Sequence, residues 1–461
     1  MANIFIIILG KTIALISHFL NLGNGSTWPG HIALTINKNF IKDLLKDQNI
    51  KTVFIAGTNG KTTTGKLIQT ILEKDGKKVF QNSAGANLLN GIASSIILHS
   101  NILGRINYDF AVFEIDENTL PLILEQVTPH YLLLLNLFRD QLDRYGEINT
   151  IAQKWQRSVA SLTPQTSLIL NADDPQIAYL GISKSSPQGG EAIPPLRWNH
   201  SYASIFYFGL EDKSLNQKTL QHAADSTYCP KCQNKLTYKA IYYSHAGEWQ
   251  CKNCGLKRPK LNISNSPIFP LSGTYNKYNT LAAILLAQLN NVNNQIIEQS
   301  LRSFEPAFGR QEIIKINNKK VQIFLSKNPT SFNESLRTIK ELGAKSVVFV
   351  LNDRIPDGRD VSWIWDVDTE EYVQNFKSIV ISGDRAHDMG LRIKYSYSSE
   401  FQISSIRQAQ DKNFKFQIEE NLQKAIMLSL KQTSKSEILY ILPTYSAMLE
   451  TRRILTGRKI L

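Results

Sequence analysis

The sequence predicts an α/β protein with parallel sheets, and three observations support this prediction. Short, continuously apolar runs alternate with longer helix-like stretches, which is typical of strands that are buried on both faces. Polar residues follow several runs, at the edge of a parallel sheet where ligands bind. A second group of runs predicts another, Rossmann-like α/β domain. The first group lies at residues 53–56, 79–80, 110–115, 131–135 and 168–170, and the second at 321–325, 347–351, 379–381 and 438–442.

The composition sets the size and class of the protein. The chain has 461 residues, 42% of them hydrophobic, which suits about two to four domains. The composition excludes collagen, low-complexity disorder and small proteins stabilised by disulfides. A net charge of +13 suits an anionic partner, such as a nucleotide, nucleic acid or membrane, without choosing among them. The apolar stretch at residues 4–20 is interrupted by polar residues, which favours a buried or membrane-grazing helix over a signal peptide or a span.

Changes of character along the chain predict its division. Residues 1–50 form a helical lead-in, and residues 51–308 form the first α/β domain. That domain carries an insert at residues 225–260, which follows a loop rich in Ser, Pro and Gly. A linker containing Pro and Gly then leads into the C-terminal α/β domain at residues 309–461.

A glycine-rich turn between the first strand and the next helix gives the strongest chemical signal. The turn consists of Gly57, Thr58, Asn59, Gly60, Lys61, Thr62 and Thr63. Backbone N–H groups in such a turn point at a phosphate, while Lys61 reaches the outer phosphates and the Thr62 hydroxyl can hold Mg²⁺. The first glycine of the usual P-loop is replaced by Ile55. The turn predicts a nucleotide site in a P-loop ATPase domain.

An acidic residue at a strand end provides the expected second magnesium ligand. Phosphoryl transfer needs a carboxylate near the metal, and Glu114 stands at the end of the run 110–115. Asp116 and Glu117 follow it closely, and either could take its place.

Four cysteines predict a structural metal site. Cys229 and Cys232 form one Cys-x-x-Cys pair, and Cys251 and Cys254 form another after 18 intervening residues. This spacing is typical of a zinc ribbon with four thiolate ligands and no open coordination position. Gly255 suits a tight turn after the second pair. The surrounding lysines leave nucleic-acid binding as a weaker hypothesis, because few aromatic residues are interleaved with them.

Taken together, these motifs resemble the Mur ligase family, whose members use ATP to activate a carboxylate for amide formation. Residues 56–63 are similar to the family's ATP loop. Asn276 and Asn279 lie in a segment that resembles the one placing an Asn against adenine, and Arg310 follows a glycine as at the family's hinge. The resemblance implies ATP and Mg²⁺ as cofactors, with Lys61 and Glu114 as catalytic residues.

Three departures from the family argue against an ordinary amino-acid-adding ligase. The metal-binding His of the family's Asp-His-Leu-Asp element is Gln141 here. Lys154 lies near the lysine that many members carbamylate, but one position out of register, so its carbamylation stays open. The segment at residues 324–329 has Lys327 in place of the family's His. These changes affect amino-acid recognition and a second metal more than ATP binding.

Motifs in the C-terminal region resemble the MurT family, the Mur-ligase-like subunits of lipid II isoglutaminyl synthase. They lie at residues 351–353, 357–366, 382–385 and 443–445. The resemblance implies a partner, a GatD-type class I glutamine amidotransferase that releases ammonia from glutamine. The present chain would activate the α-carboxylate of D-glutamate in the lipid II stem peptide, and ammonia would convert it to D-isoglutamine. A bacterial cytoplasmic location is implied, with contact at the inner face of the membrane left open.

The same resemblance implies that one C-terminal Asp completes the partner's Cys–His pair by orienting the imidazole. Asp366 is the first candidate, because residues 361–365 are predicted as a short strand that ends beside it. Asp360 and Asp357 are alternatives. Such a strand would place Trp363 and Trp365 on one face, against a partner.

Two other functions remain open from the sequence. One is a Mur-type ligase that adds an amino acid, or a relative of folylpolyglutamate synthase. The nitrogen donor, an amino acid instead of ammonia or glutamine, would distinguish these enzymes from the amidotransferase subunit. The other is a nucleic-acid-binding ATPase with a zinc ribbon, which would bind DNA or RNA with a steep salt dependence. We expect no nucleic-acid partner.

Overall fold

The computed structural model of this chain contains two six-stranded sheets, each covered by helices. The structure describes residues 2–19, 27–82, 85–140, 148–185, 204–222, 224–316, 318–397 and 416–457. Within these ranges, no helix combines the length and the apolarity needed to cross a bilayer. The first three helices are α1 (Ala2–Phe19), α2 (Trp28–Ile36) and α3 (Phe40–Leu45).

The first sheet is parallel throughout. Its strands are β1 (Lys51–Ala56), β2 (Val79–Gln81), β3 (Phe110–Ile115), β4 (Tyr131–Leu134), β5 (Ser167–Asn171) and β6 (Ile205–Phe208). They are arranged in the order β2-β3-β1-β4-β5-β6. The intervening helices are α4 (Lys61–Lys74), α5 (Leu89–His99), α6 (Thr119–Leu124), α7 (Ile148–Ala160) and α8 (Pro175–Ser185). The parallel sheet predicted from the apolar runs is confirmed.

Both faces of this sheet are buried, which explains why its strands are continuously apolar. Successive residues point to opposite faces of a strand. Phe54 and Phe113 therefore belong to the core that includes residues of α1, α5 and α7, whereas Val53 and Ile55 belong to the core beneath α4.

A cysteine-containing insert follows β6. Its centre is an antiparallel hairpin of β7 (Thr237–Tyr243) and β8 (Ala246–Gln250). The chain then returns to the first sheet through α9 (Thr274–Leu289) and α10 (Asn294–Arg302), which pack against α4.

The second sheet has one antiparallel edge. Its strands are β9 (Arg310–Ile316), β10 (Lys319–Phe324), β11 (Ser346–Val350), β12 (Ser378–Ser382), β13 (Phe416–Ile418) and β14 (Ile438–Pro443). The order is β13-β12-β11-β14-β10-β9, and only the β9–β10 pair is antiparallel. The helices of this region are α11 (Pro329–Glu341), α12 (Ala386–Ser396), α13 (Leu422–Gln432) and α14 (Tyr445–Thr456). The α/β fold predicted for the C-terminal region is confirmed. The domain boundaries stay predictions.

The strand predicted at residues 361–365 is wrong, because this segment forms a 3₁₀ helix at Ser362–Asp366. The carboxylate of Asp360 accepts a hydrogen bond from the Ser362 N–H at 2.8 Å, a local contact that competes with an extended backbone. The buried residues are Val361, Ile364 and Val367, which follow the three-residue period of a 3₁₀ helix.

The two tryptophans of this segment consequently have different surroundings. The Trp363 ring packs near Phe332, with a centroid distance of 6.0 Å. Trp365 is nearly half exposed, and its ring contacts Tyr395 and the guanidinium of Arg392. They do not form the shared strand face that alternation predicted.

Candidate active site

The glycine-rich turn connects β1 to the N-terminus of α4. Gly57 and Gly60 have φ angles of 145° and 93°, which favour glycine. A Cβ atom at Gly60 would lie 2.1 Å from Oδ1 of Asn279, so a larger residue would have to displace the Asn279 side chain. Because the turn ends at a helix N-terminus, its N–H groups and the helix dipole favour a bound phosphate.

Lys61 is buried at the start of α4. Its ammonium donates a hydrogen bond to the carbonyl oxygen of Gly57 and lies 3.4 Å from both carboxylate oxygens of Glu117. Burial raises the pKa of Glu117, while the nearby charge of Lys61 lowers it. The positive charge of Lys61 is therefore held beside the turn.

The two residues predicted to hold magnesium are in contact. Oγ1 of Thr62 donates a hydrogen bond to Oε2 of Glu114 at 2.8 Å. Burial raises the pKa of Glu114, and the Thr62 hydrogen bond and the charges of Arg310 and Lys61 oppose this shift. A hydroxyl and a carboxylate are ligands that Mg²⁺ accepts, so the pair fits this ion.

The other two acidic residues after β3 have separate roles. One carboxylate oxygen of Asp116 accepts a hydrogen bond from the Asn118 N–H at 3.0 Å, just before α6, whereas Glu117 faces Lys61. Among the three candidate carboxylates, Glu114 is the one that contacts Thr62.

The end of β4 holds the turn from the other side. Oδ1 of Asn136 accepts a hydrogen bond from the Asn59 N–H at 2.8 Å, and its Nδ2 donates to the Asn59 carbonyl at 3.0 Å. Oδ2 of Asp174 accepts from the Leu137 N–H at 2.9 Å, which fixes the segment that follows. Gln141, the departure noted in this motif, lies outside the described residues.

A cleft opens beside the turn, between the two sheets. Several predicted nucleotide residues share its wall: Asn59, Gly60, Thr63, Asn276, Asn279 and Arg310. Nδ2 of Asn279 donates to Oδ1 of Asn276 at 3.1 Å, and Arg310 is buried where its charge acts on Glu114. Burial lowers the pKa of Arg310. The remaining members of the turn, Gly57, Thr58, Lys61 and Thr62, do not line the cleft.

Sequence reasoning missed other lining residues. Tyr243, at the end of β7, and Tyr275, in the first turn of α9, offer aromatic rings, and Gln311 donates to the Tyr275 hydroxyl at 2.9 Å. Tyr275 stands next to a recognised motif and could have been suspected. Tyr243 belongs to the cysteine insert, and no local pattern placed it here.

Side-chain contacts join the turn region to the C-terminal region. The ammonium of Lys327 forms an ion pair with Oδ2 of Asp140, and Nδ2 of Asn328 donates to Oδ1 of Asn59 at 3.2 Å. Burial disfavours the charge of Lys327, but Asp140 and Glu117 outweigh it and raise the lysine pKa. Among the described residues, Oδ1 of Asp140 is buried without a hydrogen-bond partner, as expected for an atom that faces a ligand.

Lys154 is not brought to this site. It is exposed on α7, whereas its neighbour Trp155 is buried and donates from Nε1 to the Glu117 carbonyl at 2.8 Å. The helix therefore presents Trp155 to the site.

The three candidate aspartates of the C-terminal region differ in accessibility. Asp357 is buried and accepts hydrogen bonds from the backbone N–H and hydroxyl of Ser446, in the first turn of α14. Asp360 is exposed, and its carboxylate accepts the hydrogen bond from the Ser362 N–H at the start of the 3₁₀ helix. Asp366 is partly exposed, and its Oδ2 lies 3.3 Å from the Arg139 guanidinium, which also pairs with Asp225 at 2.7 Å.

The four cysteine sulfurs converge in one cluster. All four lie within 4.8 Å of one another, as a tetrahedral metal site requires. In each knuckle the N–H of the first Cys bonds the carbonyl five residues later, and its carbonyl accepts from the N–H four residues later. The residues after the second Cys, Gln233 and Gly255, both have positive φ. The cluster is compatible with zinc.

The cysteine insert also supports the active site. Nε2 of His245, in the β7–β8 turn, lies 3.3 Å from Oδ2 of Asp174, and its ring centroid is 4.8 Å from that of Phe138. Trp249 donates from Nε1 to the Ala172 carbonyl at 3.0 Å. The hairpin thus packs beneath the segment that holds the turn.

Two family models match this chain. The Mur ligase middle domain matches residues 55–188, and the MurT ligase C-terminal model matches residues 325–448. Among solved structures, a pseudomurein peptide ligase type C from Methanothermus fervidus has a TM-score of 0.62 at 20% identity, covering 90% of this chain and 81% of that one. MurF from Acinetobacter baumannii has a TM-score of 0.60 at 16% identity, covering 93% and 80%. These similarities show a Mur ligase fold.

Sequence relatives are more specific. The MurT subunit of lipid II isoglutaminyl synthase (glutamine-hydrolyzing) from Staphylococcus aureus (strain COL) is 34% identical over 390 residues, covering 80% of this chain and 83% of that protein. The subunit of the same name from Streptococcus pneumoniae (strain ATCC BAA-255 / R6) is 31% identical over 475 aligned positions, covering 98% and 97%. By its sequence, this chain belongs to the MurT family.

Proposed function

We propose that this chain is the synthetic subunit of a glutamine-dependent lipid II isoglutaminyl synthase. The observation that supports the proposal most strongly is the similarity to MurT subunits along most of the chain, including the C-terminal region. The contact between Thr62 and Glu114 beside the glycine-rich turn adds the residues that ATP-dependent activation requires.

In this proposal, the phosphates of ATP and the Mg²⁺ ion bind at the glycine-rich turn, the rest of the nucleotide binds in the adjoining cleft, and ATP supplies the phosphoryl group. Thr62 and Glu114 would hold the metal, and backbone N–H groups from Gly57 to Thr63 would bind the phosphates. Lys61 would stabilise negative charge on the transferring group. Asn276, Asn279 and Arg310 would position the rest of the nucleotide in the cleft.

The reaction has two steps. An oxygen of the D-glutamate α-carboxylate attacks the γ-phosphorus of ATP, and ADP leaves, which gives an acyl-phosphate. Ammonia then attacks the acyl carbon, loses a proton and expels phosphate, so the D-glutamate becomes its α-amide, D-isoglutamine. A carboxylate must be activated in this way because its own oxygen is a poor leaving group.

Ammonia would come from a GatD-type glutaminase that docks on the C-terminal region. Asp366 is our candidate for completing the partner's Cys–His pair, because it is partly exposed and Arg139 holds its carboxylate in place. The carboxylate of Asp357 already accepts hydrogen bonds from Ser446, and that of Asp360 accepts one from the Ser362 N–H. Both remain alternatives.

The cysteine cluster would hold one structural Zn²⁺. Four thiolates complete a tetrahedral shell, so the metal would have no position for a substrate. We further propose the division into residues 1–50, 51–308 and 309–461, with a bacterial cytoplasmic location and lipid II as the substrate at the membrane surface.

Reconstituted amidation tests this function. The purified chain and its glutaminase should amidate lipid II with glutamine and ATP, and the chain alone should do so when ammonium chloride replaces glutamine. Mass spectrometry would detect the loss of about one mass unit when a carboxyl becomes an amide. Transfer of an amino acid in place of ammonia would overturn the proposal in favour of an ordinary Mur-type ligase.

A further inference from the structure

Helix α1 is apolar on two opposite faces. Ile6, Ile7 and Gly10 lie on its buried face. The helix packs against α2 and α5, and a Cβ at Gly10 would lie 3.1 Å from Ile97 and 3.4 Å from Pro29. This face accounts for the attachment of α1 to the rest of the protein.

The opposite face carries an apolar stripe, which we define as Phe5, Ile8, Leu15 and Ile16. These side chains are 63%, 46%, 72% and 48% exposed. At about 100° per residue, they fall within an arc of about 100°. Thr12 shares that arc, but its hydroxyl donates to the Ile8 carbonyl at 2.9 Å within the helix. Surface helices normally present polar residues to solvent, and an exposed apolar patch marks an interaction site.

Neighbouring elements add further exposed apolar groups. Trp28 and Ile36 are exposed on α2, which packs beside α1. Ile102 and Leu103 are exposed in a loop whose Gly104 would place an added Cβ 3.2 Å from Ile7. Tryptophan is typical of the boundary between lipid and water, because its ring is apolar and its N–H is polar.

The charged side chains of residues 1–42 all have one sign. No Asp or Glu precedes Asp43, whereas Lys11, Lys38 and Lys42 do. A second copy of the chain would bring two such basic regions together and would be repelled. The proposed glutaminase would have to reach Asp366, which belongs to the C-terminal region. An anionic surface is the occupant that this charge favours.

We propose that the apolar stripe docks on an anionic phospholipid bilayer, with α1 lying in the plane of the interface and the lysines facing the headgroups. Amphipathic helices bind in this way through buried apolar area and attraction to anionic lipid. The purpose of this docking rests on the proposed function, since a lipid-linked substrate must be met at the membrane surface.

Sedimentation with vesicles tests the docking. The full chain should bind vesicles of equal phosphatidylglycerol and phosphatidylcholine, and bind phosphatidylcholine vesicles much more weakly. The double variant Phe5→Gln/Leu15→Gln should bind the anionic vesicles at least about tenfold more weakly, because it removes the most exposed part of the stripe. Met427→Gln, on α13, is the matched control, since Met427 is 57% exposed and should not affect binding.

The outcomes separate this inference from the proposed function. Amidation of lipid II in anionic vesicles should fall in the double variant, while amidation of lipid II in nonionic detergent should stay at the wild-type rate. Equal vesicle binding by the wild type and the double variant would overturn the inference, and Ile16→Gln gives the same comparison with one change. A variant that loses self-association or glutaminase binding instead would assign the stripe to a protein. A wild-type chain that binds vesicles but amidates nothing would sink the proposed function and leave the docking standing.

Discussion

The ammonium of Lys327 forms an ion pair with the carboxylate of Asp140, and this contact joins the second sheet's region to the first. Lys327 precedes α11, and Asp140 follows the segment that holds the glycine-rich turn. Both side chains are largely buried, and Glu117, the partner of Lys61, adds to the electrostatic stabilisation of Lys327. The lysine therefore adds a positive charge from the C-terminal region to the candidate phosphate site.

Replacing Lys327 with Gln should lower the rate of amidation with ammonium chloride at least about tenfold, because buried Asp140 loses its partner. Lys327→Arg should retain more activity, since it keeps the charge. Initial rates measured with saturating ATP would show this order. Lys320→Gln, at an exposed position on β10, is the control. Full activity in Lys327→Gln would remove this residue from the site.

Replacing Lys61 with Ala should lower ATP turnover by about 10²–10³-fold, because a charge beside the transferring phosphoryl group is lost. The measurement is ADP release with ammonium chloride as nitrogen donor. Lys74→Ala, at the exposed end of the same helix, should retain wild-type turnover. Normal lipid II amidation by Lys61→Ala would contradict the proposed ATP site.

Asp366→Asn should abolish glutamine hydrolysis by the complex while leaving amidation with ammonium chloride intact. The amide keeps the shape of the side chain but cannot stabilise an imidazolium. Glutamate release and amidation should be measured on the same preparation, with Asp360→Asn beside it. Unchanged hydrolysis in Asp366→Asn, with loss in Asp360→Asn, would move the role to Asp360.

Cys254→Ser should remove zinc and lower the thermal unfolding midpoint, since a structural zinc site contributes directly to folding. Elemental analysis should find about one zinc per wild-type chain. ATP turnover should fall as well, because the hairpin places His245 against Asp174 and Phe138. Lys231→Ala, an exposed residue within the first knuckle, should keep its zinc. A wild-type chain without bound zinc would refute this prediction.

The stability of the protein should depend on the ionisation of Glu334. Burial raises the pKa of Glu334 to about 7, and among the described residues its Oε2 is buried without a hydrogen-bond partner. The folded state therefore prefers the protonated carboxyl, whereas the unfolded chain ionises near pH 4.5. This contribution to stability is present below about pH 4.5 and is lost as the pH rises to about 7, at a cost of up to about 3 kcal/mol.

Glu334→Gln should lack this pH dependence. Its free energy of unfolding relative to wild type should rise between pH 5 and pH 8 in urea denaturation. Glu125→Gln, at an exposed position just after α6, should follow the wild-type curve. A constant difference between Glu334→Gln and wild type would mean that Glu334 ionises normally.

The features that the sequence predicted well depend on local spacing. The turn from Gly57 to Thr63 and the cysteine knuckles are short segments whose residue types dictate their backbone. The contact of Thr62 with Glu114 follows from the pairing of β1 with β3, because parallel neighbours end at the same edge of the sheet.

The features that it missed depend on long-range packing. Lys327 and Asp140 are 187 positions apart, so no local sequence pattern predicts their ion pair. Tyr243 reaches the cleft from an insert, and no local pattern predicts this position either. The strand prediction for the segment before Asp366 was wrong for another reason. The alternating tryptophans in the sequence favour a strand. In the structure every third residue is buried, at Val361, Ile364 and Val367, and this pattern stabilises a 3₁₀ helix.

Arg310 is both the first residue of edge strand β9 and part of the wall of the nucleotide cleft. No flexible chain therefore separates the hinge segment from the site. Any rotation of the C-terminal region about this strand would change the distance between the Arg310 guanidinium and Glu114. The angle between the two regions would then change the electrostatic potential at the metal position. Opening and closing of the molecule would therefore change the affinity of this position for the ion.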